Sequence, residues 1–233
     1  LNEASPGKNS PTDDGPPTFY HSLGQYKKET EDLKVYILYL SPSLHNPHHT
    51  FITCGMSNYA ITAEGYDDLK THLEVSLRLP KEWKIDENSL NDENYNWPIK
   101  LLFDTAFYPF HSKAYLDIGH SINSEGSFPD GWDFKSIVLS PSIELDDINI
   151  SKDKIKFVNL IPIFQEEREL KLADIEEFSK RVFADRENDI FLFDPKRDSF
   201  AKDIQEFIKN KNDDYLDMDG EELDPEYIGI KNW

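Results

Sequence analysis

The sequence predicts an α+β fold: a mixed, mainly antiparallel β-sheet with helices packed on it. Three observations predict it. Residues 73–79 alternate apolar and polar side chains, residues 99–110 repeat with the period of a helix, and strand-type and helix-type segments alternate irregularly along the chain.

Taken in order, residues 1–17 (LNEASPGKNSPTDDGPP) hold almost nothing to bury and read as a flexible leader. The domain proper is expected over residues 18–209, with an acidic C-terminal tail over 210–233. Phe19 to Thr30 reads as a short helix and Leu33 to Leu40 as a strand. A turn-rich stretch, Ser41 to His49, leads to a second strand, Thr50 to Gly55. Leu73, Val75, Leu77 and Leu79 share one strand face; Glu74, Ser76 and Arg78 share the other, which is expected to be wet. Pro80 ends that strand, and a polar loop runs to Trp97. Pro98 suits the first turn of a helix, where its missing N–H costs nothing. Ile99, Leu102, Phe103, Ala106, Phe107 and Phe110 then recur at spacings that make a broad buried helix face.

Short strands are expected at Tyr115 to Gly119, Phe134 to Ser140 and Ile155 to Ile163. Pro162 inside the last implies an edge or a bulge. A helix from Leu172 to Phe183 would bury Leu172, Ile175, Phe178 and Val182. Another, near Phe200 to Ile208, would use Phe200, Ile204, Phe207 and Ile208.

Composition narrows the function classes. At 233 residues, 38% hydrophobic and 13% aromatic, the chain can bury a core and is too aromatic for a disordered one. No run approaches the roughly 18 apolar residues of a membrane helix. Lys and Arg total 25 against 45 Asp and Glu, a formal charge of −20. That balance excludes nucleic acid and anionic membrane surfaces as partners, and it attracts basic proteins. Cys54 is the single cysteine, so no intrachain disulfide forms, which fits a cytoplasmic protein.

Each catalytic pattern falls short. Gly55-Met56-Ser57-Asn58-Tyr59 begins like a nucleophile elbow, but Tyr59 stands where the second glycine belongs. His45, His48 and His49 cluster in a turn with Pro47, without the ligand count or spacing of a zinc site. Asp217, Asp219, Gly220 and Glu226 partly match a calcium loop, but Tyr215 occupies its first ligand position. Glu166, Glu167 and Glu169 are explained by helix-start electrostatics. The expectation is therefore no enzyme, with no catalytic, cofactor or metal site.

Several segments resemble the suppressor of fused family, in order, from about residue 33 to 186. Thr53-Cys54-Gly55-Met56-Ser57 resembles its strand closing on a small residue, Gly, an apolar residue and Ser. Leu73 to Leu79 resembles its Glu-containing strand before a proline-bearing loop. Trp97-Pro98 opening an apolar helix, followed by Gly119-His120, is the third match; Val158 through Pro162 and on to Glu169-Leu170 is the fourth. The resemblance implies a mixed α/β domain that holds another protein. Its bacterial single-domain relatives resemble immunity proteins, which neutralise a partner toxin. The expected function is thus binding and neutralising a basic bacterial toxin domain, as a monomer when free. The alternative is a regulatory scaffold that sequesters a transcription factor or another cytoplasmic client. The expected binding face is the turn after Ser57, where Tyr59 precedes Glu64, Asp67 and Asp68, an aromatic anchor with acidic neighbours. The edge at Pro162 is a second candidate.

Overall fold

The structure is a computed structural model that describes residues 22–29, 33–63, 66–86, 88–184 and 189–208. The expected leader and acidic tail lie outside these residues. Nine strands form one sheet: β1 (Ser22–Glu29), β2 (Lys34–Leu40), β3 (His48–Cys54), β4 (Ile61–Ala63), β5 (Tyr66–Pro80), β6 (Ser121–Asn123), β7 (Phe134–Pro141), β8 (Ile148–Ile150) and β9 (Asp153–Phe164). The order is β1-β2-β3-β5-β9-β7-β6, with β4 paired to β5 and β8 to β9. Every pairing is antiparallel except β5 with β9, at the centre. The mixed, mainly antiparallel sheet is as the sequence predicts.

Helix α1 (Glu93–Ser112) covers one face, packing on β2, β3 and β5. Its Leu101, Leu102, Ala106 and Phe107 meet Leu73, Val75, Leu77 and Leu79 in the larger core. Helices α2 (Gln165–Ala173) and α3 (Ile175–Ala184) close a second core on the other face, over Val138, Ile161 and Ile163. β9 therefore feeds both cores with alternate residues, which is why its sequence reads as a continuous apolar run.

Several expectations are corrected. Residues 22–29 form a strand, not a helix, because they pair with the outer edge of β2, whose backbone groups would otherwise go unbonded. α1 begins at Glu93, capped by the Asp92 side chain accepting from the Asn94 N–H, so Pro98 is interior rather than in the first turn. Residues 115–119 reach β7 as a loop, with the Gly119 N–H donating to the Leu139 carbonyl, and make no strand. The single helix expected over 172–183 is two, parted at Asp174, whose extended backbone (φ −157°) breaks the run and whose carboxylate accepts from the Glu177 N–H. Leu172 is consequently exposed, and Leu170 is buried in its place. Only residues 204–208 of the last expected helix are helical.

The face of β5 expected to be wet is dry. Glu74, Ser76 and Arg78 are all buried. Each is placed by a polar partner: Glu74 by the turn after β3, Ser76 by Asn159 at 2.5 Å, and Arg78 by a cluster of charged side chains. The alternation marks apolar against polar, which here separates the two buried faces of a central strand.

Candidate protein-binding surface

The expected binding face begins where β3 ends. Gly55 turns the chain with φ 111°, and a short 3-10 turn over Met56–Asn58 buries Met56 in the core. This turn is held by one carboxylate. Glu74 accepts from the N–H groups of Gly55 (2.9 Å) and Ser57 (3.1 Å) and from the hydroxyls of Ser57 (2.7 Å) and Thr53 (2.6 Å). Two sequence segments 19 positions apart thus meet in one clamp, which the sequence could not reveal because Glu74 read as solvent-facing.

The clamp aims Tyr59 at the C-terminal end of α1. Its half-buried ring meets Phe110 edge-on at 5.3 Å, with Lys113 Nζ 5.9 Å from the ring centre. Asp67 and Asp68 fall between the paired residues Tyr66 and Lys70, in the irregular part of the β4–β5 hairpin, and belong to strand β5 rather than to a turn. Exposed Leu69 lies beside them. Glu64 lies outside the described residues.

The second candidate, the edge at Pro162, is closed. Pro162 sits opposite Ile137 of β7, and on its other side, where β9 has parted from β5, its carbonyl accepts from Arg197 Nη2 at 2.9 Å. The guanidinium also stacks 4.6 Å from the Phe164 ring and makes two bonds to buried Glu167.

The histidines are corrected too. His48 and His49 lie in β3, not in a turn, and adjacent strand residues point to opposite faces, so they do not converge on one ion. His49 Nε2 donates to the Lys81 carbonyl (3.2 Å) and its Nδ1 accepts from the Tyr39 hydroxyl (2.8 Å), bonding suited to a neutral ring. His48 Nε2 lies 2.6 Å from Glu144 Oε1, in a cluster where Arg78 Nε is 3.0 Å from the same oxygen and Arg78 Nη2 is 3.2 Å from Asp189.

Burial pushes the pKa of both imidazoles below the ordinary value, and the Arg78 charge adds to the effect at His48. The unfolded chain, whose histidines titrate near about 6.5, therefore takes up protons first as the pH falls. Stability contributed by these rings is complete above that pKa and is lost below it. The slope is at most about 1.4 kcal/mol per pH unit for each ring. Urea unfolding is expected to show the midpoint falling between about pH 7.5 and 5.5, and a flat profile would refute the assignment.

A mixed sheet with a helical layer on each face defines an α+β domain. Residues 29–198 match the family described as Suppressor of fused protein (SUFU). This chain belongs to that family of protein-interaction domains. None of the curated proteins matches it. Among solved structures, it is similar at 16% identity to "the Sufu-Fu complex crystal structure", with a TM-score of 0.53 over 83% of this chain and 85% of that one. Drosophila Suppressor of Fused is similar at 16% identity and a TM-score of 0.53, over 80% of this chain but only 47% of that one. A putative SUFU homolog from Neisseria gonorrhoeae, also at 16% identity, aligns with a TM-score of 0.51 over 73% of this chain and 80% of that one. At such identities the likeness concerns the fold. Among the described residues no helix is long and apolar enough to cross a membrane.

Proposed function

We propose that this chain is an immunity-type protein that binds a basic bacterial toxin domain in the cytoplasm and blocks it without turnover. The observation that carries the reading is a net charge of −20 on a chain whose residues 29–198 belong to a protein-interaction family. Such a charge speeds the encounter with a basic cleft, and aromatic anchors then hold the complex. The contact face is the turn and hairpin that carry Tyr59, Glu64, Asp67 and Asp68.

A regulatory scaffold that sequesters a transcription factor or another cytoplasmic client is the second reading. It draws on the similar Sufu–Fu complex, in which the related domain is named with a protein partner.

The deciding experiment mixes the purified chain with a basic toxin domain recovered with it by pull-down and follows the toxin's own activity. Stoichiometric loss of activity is expected; full activity at excess chain would sink the immunity reading. Reversing both charges, Asp67→Lys with Asp68→Lys, is expected to weaken the complex at least about tenfold at low salt, with a smaller loss at high salt. Unchanged affinity at low salt would move the contact elsewhere on the domain.

A further inference from the structure

Tyr59 packs at one end of α1; an aromatic cluster gathers at the other, about 20 Å of helix away. Trp97, fully buried, lies 4.7 Å from the Phe193 ring, 5.6 Å from Trp132 and 6.0 Å from Trp83. Phe193 is carried in by a strap whose backbone N–H donates to the Arg78 carbonyl at 2.9 Å. Trp132 lies almost parallel to Phe193, at 6° and 5.4 Å. One face of its indole is therefore spent on a buried ring. Trp132 is itself only partly buried, so part of its indole stays open to solvent.

The exposed charged side chains of the Trp132 turn itself are both acidic. Trp132 stands in the turn Asp130-Gly131-Trp132-Asp133, where Gly131 has φ 83° and open space around it. Asp130 and Asp133 are exposed, and among the described residues no cation pairs with either. Exposed Asp194 follows Phe193 directly. Partly buried Trp83 continues the cluster, edge-on to Phe193 at 5.9 Å and to Tyr95 at 5.6 Å. The chain's own Lys84 already places its Nζ 5.4 Å from the centre of the Tyr95 ring, the contact that an incoming cation would make next door.

We infer that Trp132, Asp130 and Asp133 form a docking surface for a basic segment of a partner protein, an Arg or Lys of which lies against the open part of the indole. An indole face attracts a cation through its quadrupole, and two free carboxylates beside it supply the ion pairs that hold the same group. The inference rests on the reading that the partner is a basic protein, and it adds a second contact to the Tyr59 face.

The test uses the full chain, labelled with nitrogen-15, and a synthetic nonapeptide of alternating Arg and Gly; a Glu-Gly peptide of equal length is the control. The chain has four tryptophans, Trp83, Trp97, Trp132 and Trp233, so each indole N–H is a separate reporter. The Trp132 signal, assigned with Trp132→Phe, is expected to shift saturably with the Arg peptide and stay put with the Glu peptide. Trp132→Leu is expected to weaken binding about tenfold, and Asp130→Asn with Asp133→Asn about fivefold. A stationary Trp132 signal, or equal affinity in wild type and both variants, overturns the inference. Should Trp132→Leu fail to fold, the exposed aspartate pair decides alone, and unchanged affinity in that variant overturns the inference equally. A shifting Trp132 signal with no toxin blocked would remove the immunity reading and leave the surface. Toxin inhibition intact in both variants would remove the surface and leave the reading.

Discussion

Replacing Glu167 by alanine is expected to destabilise the domain by about 3–5 kcal/mol, the cost of leaving one half of a buried ion pair behind. Glu167 is wholly buried at the start of α2. One oxygen accepts from the Phe164 N–H at 3.0 Å and from Arg197 Nη2 at 2.6 Å; the other accepts from Arg197 Nη1 at 2.5 Å and from the Phe200 N–H at 3.1 Å. The carboxylate thus ties the helix start, the end of β9 and the 197–200 segment together. Without it, Arg197 keeps its charge in a site where its side chain is only 7% exposed, among the Phe134, Phe164 and Phe200 rings. Thermal unfolding should show a midpoint lower by roughly 6–20 °C for a domain of this size. Glu167→Ala combined with Arg197→Met should be more stable than Glu167→Ala alone, because the unpaired charge goes too. A single-variant loss under about 1 kcal/mol would mean that water reaches the guanidinium and the clamp is not structural.

Glu167 also shows how much the sequence disclosed. Periodicity is a statement about which residues are apolar, so the strands of β2, β5, β7 and β9 and the long helix α1 were legible from it. Burial of a charged residue depends on a partner that can lie anywhere in the chain. Glu74 waits on Gly55 and Ser57, Glu167 on Arg197 thirty residues later, and Arg78 on Glu144 and Asp189. Each therefore read as a surface charge or a helix-start charge. Residues 22–29 escaped for a related reason: their strand form answers to the open edge of β2, not to their own side chains. Of the expected binding face, Tyr59 was placed correctly beside a turn, but its packing on Phe110 is a tertiary fact. The Trp132 turn carried a readable signal, an aromatic residue between two aspartates; the missing information was that Phe193 comes up beneath it.

The second large effect is expected at Gly55. Its φ of 111° is a conformation side chains rarely adopt, and a Cβ there would fall within van der Waals overlap of the backbone carbonyl oxygen of Lys34. Neither atom is the end of a flexible chain, so Gly55→Ala must displace the start of β2 or rotate the turn out of the Glu74 clamp. The strain and the broken clamp together are expected to cost roughly 3 kcal/mol or more. Gly126→Ala, with nothing within 4 Å of the added carbon, is the matched control and should be close to neutral. The functional consequence follows from what the turn carries. Ser57 is bonded to Glu74 two residues before Tyr59, so a turn that leaves the clamp takes the proposed anchor with it. At temperatures where Gly55→Ala is still folded, partner affinity should fall further than that of Gly126→Ala, and the Tyr59–Phe110 contact should be lost from ring-current shifts in the NMR spectrum. Normal affinity in a Gly55→Ala protein whose turn has demonstrably moved would separate the binding face from the clamp. It would leave the Trp132 end of α1 as the surface to pursue.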